Sequence, residues 1–197
     1  MPATEHRITR SDIVAPEIYA RERRERRAAL ISIKKNRRVE VGPFATFYFE
    51  NFDTMLAQVL EMLHIEKGGA EQIPDELRAY NPLIPQGGEL IATMMLEIGD
   101  AARRVAILKT LGHIEDSAFL QIGKDRVAGA PTEYGDRTAP DGKTSSVHWL
   151  RFKLTPEQIA AFKSGKEQLT LGLAHDNYGH MAILPENVRA ELARDFD

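Results

Sequence analysis

Residues 44–50 alternate with a period of two and carry aromatic side chains on both faces. Phe44, Thr46, Tyr48 and Glu50 fall on one side; Ala45, Phe47, Phe49 and then Asn51 fall on the other. A strand with one wet face alternates apolar with polar, so aromatics on both faces ask for a sheet covered on both sides. The run Arg37-Arg38-Val39-Glu40-Val41 has the same period, and Gly42-Pro43 separates the two stretches. A hairpin of 39–41 with 44–50 follows.

The rest of the chain surrounds this hairpin with further elements of both kinds. Ile18 to about Lys35 lacks Gly and Pro, and either Ser11 or Pro16 is a suitable helix opening. Asn51 or Asp53 can cap a second helix with a broad apolar face, which Gly68-Gly69 ends. A short helix is expected near 74–80, a strand over 89–98, a helix from Asp100 to Leu111, and strands at 119–122 and near Val127. Residues 128–145 are rich in Gly, Pro, Asp and Lys and read as a long connection. Strands at 146–154, 167–173 and 181–184 follow, with helices opened by Thr155-Pro156-Glu157 and Pro185-Glu186. Hairpin signals interrupt the strand–helix alternation. The expected fold class is therefore α+β: one domain over 1–197, with a mixed or mainly antiparallel sheet packed by several helices.

Composition narrows the chemistry. Of 197 residues none is cysteine, which removes disulfides, thiol nucleophiles, thiolate zinc and any iron–sulfur cluster on the chain's own cysteine ligands. No apolar run approaches the roughly 20 residues needed to span a bilayer, and the first residues have no signal-peptide pattern. A cytoplasmic location is the expectation. The net charge of −3 hides an asymmetry. Residues 1–40 hold eleven basic and six acidic side chains, a balance of +5, so the remainder carries −8. A basic N-terminal helical segment, about 11–36, is thus joined to an acidic body. Either it lies on that body or it steers an acidic protein partner. Its exposed candidates are Arg21, Arg24 and Arg27. A homodimer, with the arm of one copy on the body of another, fits the same asymmetry. Nucleic acid does not, because Glu22 and Glu25 dilute the basic face and the body repels phosphate.

Two polar constellations are candidates for a site. Arg37 and Arg38 start one hairpin strand, while Glu50 and Asp53 follow the other, so the hairpin brings them near each other. They make either an internal ion pair or a clamp for an anion or a partner's carboxylate. The second is His175-Asp176-Asn177-Tyr178-Gly179-His180, a polar turn with a histidine on each side. If strand 146–154 pairs with 167–173, His148 joins it. His148, His175, Asp176 and His180 then offer imidazole and carboxylate ligands for Fe, Mn or Zn. No fixed-spacing metal motif backs this, and a turn rich in Asp, Asn and Gly needs no metal. Ser146 beside His148 lacks a nucleophile elbow, and the glycines form no phosphate-binding fingerprint.

The chain resembles a bacterial family, DUF3501, a domain of unknown function. The likeness is carried by Lys35-Asn36-Arg37-Arg38-Val39, Val41-Gly42-Pro43, Phe49-Glu50-Asn51 with Asp53-Thr54, and Glu61-Met62-Leu63. It continues through Gly87-Gly88-Glu89-Leu90, Ile114-Glu115-Asp116, Leu150-Arg151-Phe152 and Leu154-Thr155-Pro156-Glu157. Members tend to be encoded near rubrerythrin-like proteins and near iron–sulfur oxidoreductases of the heterodisulfide-reductase kind. The resemblance therefore implies an accessory or interaction role in a cytoplasmic redox system, with any cluster held by the partner. A small metal-dependent oxidoreductase built on the histidine cluster is the alternative.

Overall fold

The computed structural model describes residues 6–132 and 137–197. Part of the 128–145 connection, residues 133–136, therefore lies outside the described residues. A 20-residue helix, α1 (Pro16–Lys35), opens with Pro in its first turn and leads into β1 (Arg38–Val41) and β2 (Ala45–Phe49). Helix α2 (Phe52–Glu66) begins at Asn51, whose side chain accepts from the Thr54 amide while Thr54 Oγ1 accepts from the Asn51 amide. Helix α3 (Ile73–Tyr80), β3 (Glu89–Leu96) and α4 (Ala101–Lys109, capped by Asp100) follow. The chain ends with β4 (Ala118–Ile122), β5 (Asp125–Pro131), β6 (Val147–Lys153), α5 (Pro156–Ser164), β7 (Leu169–His175), β8 (Tyr178–Ile183) and α6 (Glu186–Leu192).

The eight strands form one sheet in the order β1-β2-β3-β6-β5-β4-β7-β8, and every neighbouring pair is antiparallel. The α+β expectation holds. One face of every strand meets a single buried cluster. Val39, Phe47, Leu90, Leu150, Val127, Leu120, Leu171 and Tyr178 are members from β1, β2, β3, β6, β5, β4, β7 and β8 in turn. The sheet curls around this cluster until its edge strands approach each other. Phe162 of α5, Leu192 of α6 and Phe196 pack into the cluster, and so do Leu108 of α4, Leu111 and Ile114. Outside, Ile91 of β3 lies under a second cluster with Ile8, Met55, Val59, Leu83 and Ile84, against which Trp149 of β6 packs. The covered sheet expected from the aromatic strand exists at β3 and β6, where α2 and α3 supply the cover. Farther out, Met181 and Ile183 of β8 remain exposed.

The seam between the two edges is closed by a side chain. Tyr178 Oη donates to the Val41 carbonyl at 2.8 Å and accepts from the amides of Phe44 (2.8 Å) and Ala45 (2.9 Å). Gly42 makes the approach possible. Its φ is +72°, and a Cβ there would sit 2.5 Å from the His180 ring and 2.8 Å from Tyr178 Oη. Replacing Tyr178 by Phe removes three hydrogen bonds at a closed seam. We expect a loss of about 2–4 kcal/mol in unfolding free energy, read from urea titration. Seam opening should also show as faster hydrogen exchange at Phe44 and Ala45 than in the unaltered chain.

Candidate functional site

Arg37 is among the most buried of the candidates. It shares the parity of Val39 and Val41, so it points to the inner face, and it is 1 % exposed. Its Nε donates to the Phe49 carbonyl (2.9 Å) and Nη2 to the Glu50 carbonyl (3.0 Å). Nη2 also bonds Asp195, and Nη1 lies 3.3 Å from Glu191 Oε1. Burial pushes the Asp195 carboxyl up, against the pull of Arg37 beside it. Arg37 thus ties the start of the hairpin to the C-terminal residues and offers no free donor face to a ligand. Glu50 is buried too, and its carboxylate accepts from Thr54 Oγ1 and Thr93 Oγ1, each at 2.6 Å. Arg38 faces outward, bonding Glu40 at 2.7 Å and Tyr48 Oη at 3.3 Å. Asp53 is exposed in the first turn of α2. The hairpin quartet does not form one clamp: parity sends Arg37 in and Arg38 out. Nor do Arg103 and Arg104 extend it, since Arg103 stacks over Phe44 and Arg104 bonds the Ile98 carbonyl.

The histidine cluster is separated by the sheet order. Strand β6 pairs with β3 and β5, and both β5 and β4 stand between it and β7. His148 is buried at 1 % exposure; Nε2 lies 2.9 Å from the Ser145 carbonyl and Nδ1 3.3 Å from buried Glu115 Oε2. A carbonyl only accepts, so Nε2 carries a proton, while Nδ1 and Glu115 Oε2 face each other, both buried, with no hydrogen bond between them. Burial holds the His148 ring below the ordinary histidine range, with Glu115 opposing. His175 Nε2 meets the Gly112 carbonyl at 3.1 Å, while its Nδ1 accepts from the Asn177 amide at 3.1 Å. Asn177 donates to the Thr110 carbonyl at 2.9 Å, so the β7–β8 turn is docked on the segment after α4. His180 stacks edge-on against Tyr178, with ring centroids 4.5 Å apart. Among the described residues no group of three or more His, Cys, Asp or Glu side chains is arranged to hold a metal ion. The Fe, Mn or Zn expectation on His148, His175, Asp176 and His180 is therefore corrected. These imidazoles serve backbone carbonyls and the seam.

Helix α1 is what remains. Over 20 residues, roughly 30 Å, only Tyr19 is buried. Tyr19 Oη donates to Glu61 Oε2 at 2.8 Å, and the Arg23 guanidinium bonds both oxygens of the same carboxylate. Arg23 beside it, helped by the Tyr19 hydroxyl, holds Glu61 down at about 2; burial and the same contact push Tyr19 up to about 12. This knot fixes α1 on α2. Toward its C-terminal end the helix borders a cleft of about 370 Å³ floored by Leu30, Ile33, Leu56 and Leu60. On the outer side Arg21 is exposed, with Glu22 3.7 Å away, and Arg24 is exposed with no ion pair among the described residues; Arg27, exposed and likewise without an ion pair, stands at the rim of the cleft near Glu61. Ile31 stands 70 % exposed among them. The sequence pattern marked the arginines but missed the role of Glu61. Its signal is an acid set directly among the apolar Leu60, Met62 and Leu63 of α2.

Two outcomes are expected from these contacts. Arg37→Met leaves Asp195 buried without its cation and should cost about 3–5 kcal/mol in urea titration, whereas pairing it with Asp195→Leu should recover most of that loss. Glu61 is more acidic folded than unfolded. Its contribution is thus complete above the ordinary value of 4.5 and is lost as pH falls toward about 2. Thermal melts from pH 5 to pH 2 should fall less steeply for Glu61→Gln than for the unaltered chain.

The comparisons agree with the fold and add no activity. No curated protein matches the chain. A crystal structure described as a novel protein of unknown function from Burkholderia pseudomallei K96243, at 1.90 Å resolution, superposes with a TM-score of 0.89. It is 38 % identical, over 96 % of this chain and 99 % of that one. The model of the family described as protein of unknown function (DUF3501) matches residues 7–196, and the chain belongs to that family.

Proposed function

We propose that this protein is a non-catalytic interaction module that binds an acidic protein surface through the outer face of α1. The observation that carries this reading is the unspent charge there. Arg23 and Arg26 are consumed by Glu61 and Glu22, but Arg24 and Arg27 have no ion pair among the described residues, and Arg21 only a loose one. An acidic body does not cover them. Ile31 adds an apolar contact, and an arginine-flanked apolar residue on a rigid helix suits a partner with carboxylates around a small hydrophobic patch. Polar groups elsewhere are held by the chain's own atoms: buried Arg37 and Glu50, Nε2 of buried His148, and half-buried His175. No helix of the described residues is long and apolar enough to cross a membrane. The family resemblance supplies the partners to try: a cytoplasmic iron–sulfur oxidoreductase of the heterodisulfide-reductase kind, or a rubrerythrin-like protein.

Surface-immobilised protein tested against each of those partners should bind one of them, and raising the salt should weaken binding by screening the exposed charges. Reversing Arg21, Arg24 and Arg27 to Glu should lower affinity by at least about tenfold with an unchanged circular dichroism spectrum. Equal binding by the reversed variant would remove α1 from the role.

A further inference from the structure

A second set of unspent cations lies away from the outer face of α1. Residues 6–12 run across the molecule beside α3 and are pinned there. Ile8 is fully buried; its amide donates to Asn81 Oδ1 at 2.8 Å and its carbonyl accepts from Asn81 Nδ2 at 3.0 Å. Gln86 Nε2 donates to the His6 carbonyl at 2.8 Å. Thr9 and Asp12 close a reciprocal cap on the following turn. A side-chain amide that satisfies both backbone groups of one residue acts as a short piece of sheet, so the segment is held as firmly as a strand. Arg7 and Arg10 flank the pinned Ile8, and both line a cleft of about 720 Å³. Neither has an ion pair among the described residues.

The same cleft takes Arg78 and Arg151 from its other walls. Arg78 is bonded to exposed Asp75 at 2.7 Å, and Arg151 to Glu89 at 3.2 Å and to the Pro82 carbonyl at 2.9 Å. No described lining residue is acidic, although the chain beyond residue 40 carries −8. Between the arginines the floor is apolar, formed by Ile73, Leu77 and neighbours. Converging guanidinium groups in a concavity raise the local concentration of anions, and their planar fork matches phosphate oxygens in pairs. The apolar floor has no use for a bare inorganic ion.

We propose that this cleft binds a small organic phosphate or pyrophosphate ester. Arg7 and Arg10 would hold the anionic end, Arg78 and Arg151 would close around it, and the body of the ligand would rest on Ile73 and Leu77. The site is independent of the α1 surface and stands if that reading fails.

Calorimetric titration at low salt with inorganic pyrophosphate, adenosine diphosphate and geranyl pyrophosphate tests it. We expect at least one of the two esters to bind more tightly than inorganic pyrophosphate, because only an ester reaches the floor. Arg7→Ala with Arg10→Ala should weaken that ester by at least about tenfold. Both residues are exposed, so the melting temperature without ligand should not move. The variant with Arg21, Arg24 and Arg27 reversed should bind the ester as the unaltered chain does. The proposal is overturned by absence of binding for all three probes, by unchanged affinity in the Arg7/Arg10 variant, or by an equal loss in the α1 variant. Esters that bind no better than inorganic pyrophosphate would overturn the assignment of the floor.

Discussion

The Tyr178 hydroxyl is the contact on which the architecture turns. Eight antiparallel strands leave two edges, and the core cluster can be dry only if those edges meet. They meet without a backbone ladder. One phenolic oxygen satisfies a carbonyl and two amides at the β1–β2 turn, and Gly42 clears the space for it. A tyrosine suits the task because its ring adds buried area while its hydroxyl both donates and accepts. The polar turn at 175–180, which looked like a ligand set, thereby becomes part of the closure. Two of its members dock on residues 110–112 and a third closes the seam.

Two buried polar contacts stand at separate places around the same core. Arg37 binds the hairpin to α6 and Asp195; His148 faces Glu115 beneath the segment at 144–145. Each joins pieces of chain far apart in sequence, and each would be expensive if half of it were missing. Their arrangement selects one way of closing the two regions more than it adds net stability. The Arg37 guanidinium is spent on positioning, with donors to the Phe49 and Glu50 carbonyls and to Asp195. The surfaces proposed to meet other molecules, α1 and the residues that precede it, lie on the outside.

Much of the fold was legible because its signals are local. The Asn51–Thr54 cap, the Thr155-Pro156-Glu157 opening and the Gly42 turn each act within a few residues, and the elements they bound are where the pattern placed them. The order of strands was not legible, since β6 lies between β3 and β5 for reasons set by packing across the whole sheet. That one unreadable step broke the histidine reading, which needed β6 beside β7. The ion-pair partners of Arg37 are not Glu50 or Asp53, whose nearness the hairpin suggested, but Glu191 and Asp195. Parity with Val39 and Val41 already marks it as inward, but its partners at 191 and 195 leave no trace in the local pattern. Arg7 and Arg10 went unmarked for a similar reason: the clamp that presents them belongs to Asn81, more than seventy residues away.

Joining the sheet's edges through residues 41 and 178 also sets an order of events in folding. The contact spans 137 positions, so a long loop must be closed before it forms, and long loops are entropically slow to bring together. On a ribosome, β1 to β6 can assemble their ladders while residue 178 is still unmade. Until it arrives, the inner faces of Val39, Phe47 and Leu90 have no far wall. The nascent sheet is therefore most exposed to association with other chains late in synthesis, and the last hairpin ends that exposure.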